Sequence, residues 1–157
     1  MRTFTLLKGL PVYAKNTGEN LGQVFDLCLS KSGELKGLLL KRGALVKRTY
    51  LIDVKDVSSF GADGVMVEND SILQTAKDSI YPIFEGKGKL VGKPLMSSEG
   101  DHLGLLEDVY FHEELGTIVG YECSDGFFAD ITEGKRIVKT DEPLQIGKDA
   151  IIVNLKP

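Results

Sequence analysis

The 157-residue chain is 42% hydrophobic and 27% charged, a balance that suits a folded globular protein and excludes disordered or fibrous classes. No apolar run approaches the roughly 18 residues of a membrane-spanning helix, and MRTFTLLKGLPVYAKN at the N-terminus lacks a signal peptide's apolar core and cleavage site. A cytoplasmic protein without a membrane span is therefore expected. The net charge of −4 is unevenly distributed: residues 1–69 carry ten basic and seven acidic side chains, residues 70–157 nine and sixteen. Overall acidity argues against a broad nucleic-acid coat, which needs concentrated Lys and Arg.

In chain order, β-strand signals come first. VFDLCL (24–29) alternates so that Phe25, Leu27 and Leu29 are expected on one strand face, and LKGLLLK (35–41) is an apolar run. SKSGE between them is a short glycine-containing connection that predicts a hairpin. Gly18 and Gly22 suggest turns that need positive φ or close backbone approach. Next, NDSILQTAKDSIYP predicts a short helix over 71–80: Ser71 and Gln74 form a capping-box pattern, and Ile72, Leu73, Ala76 and Ile80 keep helical spacing.

GKGKLVGK (86–93) invites a phosphate-loop reading, but the spacing fails. Lys87 stands where G-x(4)-G-K-S/T needs its first glycine, Pro94 where the hydroxyl belongs, and Val91 where G-x-G-x-x-G needs its third glycine. The stretch is instead an exit from the linker and an entry to a second β unit.

That second unit repeats the first. Gly9 and Pro11 fall on Gly92 and Pro94 at an offset of 83; Gly18, Leu21, Gly22 and Asp26 fall on Gly100, Leu103, Gly104 and Asp108 at 82; Gly33 and Gly37 meet Gly116 and Gly120 at 83 again. GADGVMV (61–67) parallels GKDAIIV (147–153). Five or six short strands per unit favour a small barrel. The expected organisation is a first barrel at 1–69, a helical linker at 70–85 and a second barrel at 86–157.

The pattern of Gly9, Pro11, Val12, Tyr13, Gly18, Leu21, Gly22, Val24, Asp26, Leu27 and Gly37 resembles the PRC-barrel family. That family includes the cytoplasmic domain of a photosynthetic reaction-centre protein and the C-terminal domain of a ribosome maturation factor. The second unit matches more loosely, with Leu95-Met96 in place of Val12-Tyr13. The resemblance implies a mainly β protein of two tandem PRC-type barrels joined by a short α-helix, and binding rather than catalysis. It supplies no catalytic residues and no cofactor. The sequence shows neither the transmembrane helix of the reaction-centre protein nor the different N-terminal barrel of the maturation factor, so neither function transfers directly.

Candidate sites are few. KRGALVKR (41–48) gathers Lys41, Arg42, Lys47 and Arg48 on one loop, where they could engage RNA phosphate, anionic lipid or an acidic protein surface, or simply be solvated. Tyr50 is the only aromatic residue nearby, a weak signal for RNA stacking. In GFFAD (126–130), adjacent Phe127 and Phe128 must point to opposite strand faces, so one is expected to pack internally or to meet a partner protein or a second copy of the chain. Phe60 and Phe84 are expected to seal the interface between units. His102 and His112, with Glu107, Asp108, Glu113 and Glu114, lack the spacing that forces a metal site. Asp26 and Asp108 are expected to accept backbone N–H bonds, far apart in separate barrels, rather than to act as an acid–base pair. Cys28 and Cys123 read as buried small hydrophobes. The favoured reading is a non-enzymatic protein-binding adaptor, with RNA or ribosome association through 41–48 as the alternative.

Overall fold

The computed structural model describes residues 2–76, 80–112, 114, 116–124, 135–140 and 142–155. The first half builds β2 (Pro11–Ala14), β3 (Asn20–Ser30), β4 (Leu35–Arg42), β5 (Arg48–Asp53), β6 (Val57–Phe60) and β7 (Val65–Val67). The second builds β10 (Pro94–Ser97), β11 (His102–His112), β12 (Thr117–Ser124), β13 (Lys135–Val138), β14 (Gln145–Ile146) and β15 (Ile151–Val153). The strand order β6-β7-β2-β3-β4-β5 in one sheet is matched by β14-β15-β10-β11-β12-β13 in the other.

The repeat extends to irregularities. Both long strands, β3 and β11, have 11 residues, and both are bulged at the same place, between Val24 and Asp26 and between Leu106 and Asp108. A bulge adds one unpaired residue and reverses the in–out alternation beyond it. Phe25 consequently shares a satellite cluster with Cys28, Leu39 and Leu51, while Val24, Leu27 and Leu29 line the main core. The simple alternation expected for Phe25, Leu27 and Leu29 is broken at that residue.

Gly22 and Gly104 show why glycine recurs. Their φ angles are +141° and +135°, and a Cβ would stand 2.3 Å from the Lys41 carbonyl oxygen and 2.4 Å from that of Ser124. No side chain fits there.

Two short strands cross between the halves. β1 (Arg2–Thr3), at the start of the first half, pairs with Tyr110 and Phe111 of β11; β9 (Ile80–Pro82), which leads into the second, pairs with Cys28, Leu29 and Ser30 of β3. Each half thus lends a strand to the other's sheet. A single hydrophobic core results, running from Phe4, Leu27 and Leu40 to Leu95, Val109 and Phe111.

Among the described residues of 71–80, the expected helix is not formed, and residues 77–79 lie outside them. Asp70–Ile72 is one 3-10 turn, capped by the Asn69 side chain accepting the Ser71 N–H at 2.9 Å. β8 (Gln74–Thr75) then pairs with Tyr50 and Leu51 of β5, and Ile80 begins β9. The apolar residues are partly buried without a helix: Ile72 and Leu73 pack on the main core, Ala76 and Ile80 on the Cys28 cluster. A helix this short is marginal in water, whereas the edge of β5 offers ready backbone partners. The ladders also leave both sheets open: among the described residues, β6 and β8 end one path, β13 and β14 the other, and no hydrogen bonding between path ends closes a barrel.

Candidate binding surfaces at the seam and the basic hairpin

The seam between the halves is built from the repeated residues. Asp26 is fully buried, and its carboxylate accepts N–H bonds from Leu27 at 2.8 Å, Phe84 at 3.0 Å and Glu85 at 3.0 Å. Asp108 accepts the Val109 N–H at 2.8 Å and the Thr5 hydroxyl at 2.5 Å. Each carboxylate therefore holds the chain segment that leads into the opposite repeat. The Phe4 and Phe84 rings stack at 4.8 Å between these two clamps, and Phe60 meets Phe111 edge-on at 4.7 Å. Phe60 and Phe84 seal the interface as expected. Such pairs contribute about 0.5–1.5 kcal/mol each beyond area burial.

Asp26 binds Phe84, Phe84 stacks on Phe4, and the neighbouring Thr5 binds Asp108, so both flank one seam. Burial pushes the Asp26 pKa up to about 6, against the pull of the Glu85, Phe84 and Leu27 N–H groups. Neither carboxylate lines any of the grooves described below.

Two grooves run along the seam and share Val54 and Gly116. One, of about 720 Å³, lies between Val57–Phe60 of β6 and Glu114 and Gly116. The other, of about 470 Å³, is lined by Glu34 and Leu35 from one half and Thr117, Ile118, Tyr121 and Glu142 from the other. The hairpin tips interlock there: a Cβ on Gly33 would lie 1.9 Å from the Leu144 carbonyl oxygen, and one on Gly116 3.0 Å from Val54 Cγ2.

The basic residues lie elsewhere, at the hairpin joining β4 to β5. Arg42 pairs with Arg48 across the ladder, and Gly43–Lys47 form the loop. Lys41 stands over the Phe25 ring at 4.8 Å, and Arg42 approaches Glu19 at 3.7 Å. Among the described residues, Lys47 and Arg48 form no ion pair. Sequence reasoning finds the four cations but misses Leu45 and Val46 between them, which are 98% and 74% exposed. Their signal is an apolar dipeptide inside a charged loop. Phe127 and Phe128 lie outside the described residues.

Other candidates are not assembled into sites. His102 and His112 mark opposite ends of β11, a span of about 30 Å at strand rise. No group of three potential metal ligands gathers among the described residues, and Glu113 lies outside them. Cys28 and Cys123 are buried thiols; the Cys28 Sγ donates to the Gly37 carbonyl at 3.6 Å. Gly86–Lys89 are exposed, and no helix follows them, only the turn leading to β10. Among the described residues, no helix is long and apolar enough to cross a membrane.

Two β-rich repeats with matched bulges, glycines and buried carboxylates define a tandem duplication of one small β module. The PRC-barrel domain profile matches residues 1–74 and again 84–156, and the chain belongs to the PRC-barrel family. It is 37% identical over 158 residues to the uncharacterized protein YrrD of Bacillus subtilis (strain 168), covering 98% of this chain and 88% of that protein.

Proposed function

We propose that this chain is a non-enzymatic adaptor, built from two PRC-type barrel modules at 1–69 and 86–157, that captures an extended segment of a partner protein in the seam groove beside β6. The observation that carries this reading is the groove's dual construction. One wall is β6, a terminal strand that among the described residues ladders only with β7; the other comes from the second repeat's hairpin at Glu114 and Gly116. An edge strand beside a groove suits β-augmentation, in which a peptide adds main-chain hydrogen bonds and seats alternate side chains. Ser58 and Ser59 are exposed there, with Phe60 half-buried beside them.

The alternative, RNA or ribosome association through Lys41, Arg42, Lys47 and Arg48, lacks a stacking platform. Tyr50 and Phe25, the aromatics nearest the loop, are partly buried, and Phe25 lies under the Lys41 ammonium.

Panning random peptides against the full chain tests the adaptor reading. Enriched peptides should bind the native protein and lose binding to Ser58→Trp, which fills the groove from an exposed position without altering the thermal midpoint. Enrichment unaffected by Ser58→Trp would place the binding surface elsewhere and overturn the reading.

A further inference from the structure

The β4–β5 hairpin combines three features that no backbone requirement explains together. Its tip presents Leu45 and Val46 to solvent, 98% and 74% exposed. Cations flank that tip on both arms: Lys41 and Arg42 before it, Lys47 and Arg48 after it. At its base lies a depression of about 500 Å³ whose lining includes Lys41, Arg42 and Lys47, with neutral Asn20 and Gln23, and no carboxylate. Glu19 lies beside Arg42 but outside that lining.

The tip is held in shape. Gly43 sits at φ +136°, and a Cβ there would come within 2.1 Å of the Val46 carbonyl oxygen, so the loop is folded tightly on itself. Its two large apolar side chains are thus displayed by a formed turn. A hydrophobic dipeptide displayed this way has no folded-state role to offset its exposure, and such groups mark a contact with something apolar.

We propose that this hairpin is a membrane-surface anchor: Leu45 and Val46 enter the headgroup–acyl boundary of an anionic bilayer while Lys41, Arg42, Lys47 and Arg48 engage lipid phosphates. The arrangement meets both requirements of interfacial binding, apolar side chains that gain by leaving water and a ring of cations at headgroup depth. The long Lys and Arg side chains reach phosphate while their stems cover apolar surface. RNA accounts for the cations but leaves Leu45 and Val46 in water, since the hairpin offers no exposed aromatic ring to stack on a base. The hairpin lies in the half of the chain with a basic excess, ten basic against seven acidic residues over 1–69, which favours approach to an anionic surface.

The test uses the full chain and vesicles of phosphatidylglycerol and phosphatidylcholine in equal parts, with phosphatidylcholine vesicles as control. The chain contains no tryptophan, so Leu45→Trp places a single reporter at an exposed position. Its emission should shift to the blue with the anionic vesicles and stay unchanged with the control. In co-sedimentation, Leu45→Ser with Val46→Ser should lower partitioning about tenfold or more, with the circular dichroism spectrum unchanged. Lys47→Glu with Arg48→Glu should lower it comparably at low salt. Failure of the unmodified chain to partition at low salt would overturn the proposal, as would an unshifted reporter in sedimented protein. Structured RNA bound equally by the unmodified chain and the serine variant, and displacing the protein from vesicles, would assign the hairpin to nucleic acid instead. Groove peptides should bind the serine variant normally, so failure here and failure of the adaptor reading are separable.

Discussion

Asp26 lies in the first repeat and Glu85 in the segment entering the second, yet the Asp26 carboxylate accepts the Glu85 N–H at 3.0 Å. The same carboxylate holds Phe84 and Leu27, so one buried acid ties the linker to the bulge of β3. Its counterpart Asp108 ties the N-terminal segment to β11 through Thr5. Repeated acids at the bulge are therefore clasps between repeats, and their position after an unpaired residue turns them toward the seam.

A pH dependence follows from Asp26. Burial raises its pKa from 3.8 to about 6, so between those values the folded protein holds a proton that the unfolded chain has released. Stability should therefore fall as pH rises across that window, by roughly 3 kcal/mol in full, and level off above it. Urea unfolding at several values from pH 4 to pH 7 measures this, with Asp26→Asn as reference. The difference in stability between the two proteins should slope across the window; a flat difference would show that Asp26 does not titrate there.

Gly33 and Gly116 are repeat equivalents at two hairpin tips, but their surroundings differ. Both have positive φ, +84° and +64°, so Ala costs about 1–2 kcal/mol at either position. At Gly116 the added methyl meets the end of the Val54 side chain at 3.0 Å, which can turn aside. At Gly33 it meets Leu144 backbone at 1.9 Å, which cannot move without parting the seam. Gly33→Ala should thus lower the calorimetric midpoint clearly more than Gly116→Ala. Equal losses would mean that the two tips bear on the interface alike.

The thiols should be silent in the native protein. Burial, with the Asp26 charge nearby, pushes the Cys28 pKa up to about 12, and Cys123 is also buried. Thiolate is the reactive species, and almost none of it forms on Cys28 at neutral pH, while burial shields Cys123 from reagent. A disulfide-exchange reagent should titrate no thiol rapidly in buffer and both in denaturant. A fast stoichiometric reaction in the native state would contradict the placement of Cys28.

The duplication is legible in the sequence because glycine positions are dictated by backbone geometry, and Gly22 and Gly104 have no room for a side chain. The role of Asp26 is legible because an acid in an apolar strand needs donors. That two of those donors, Phe84 and Glu85, come from the segment entering the other repeat is not, since a local pattern carries no information about strand exchange. The segment at 71–80 misleads for a related reason. Ile72, Leu73, Ala76 and Ile80 fit a helical stripe, but the open edges of β5 and β3 take Gln74, Thr75 and Ile80 into their ladders instead. The cations of the hairpin are apparent from composition, whereas the exposure of Leu45 and Val46 depends on how tightly Gly43 folds the loop.

The exchange of β1 and β9 also bears on mass action. Two separate chains, each carrying one repeat and trading strands in this way, would dissociate on dilution, and their stability would rise with protein concentration. Joining them through a connection whose residues 85–89 are exposed makes the same docking intramolecular, at an effective concentration in the millimolar range for a short linker. The tandem chain keeps its seam, and every groove formed across it, at whatever copy number a cell maintains.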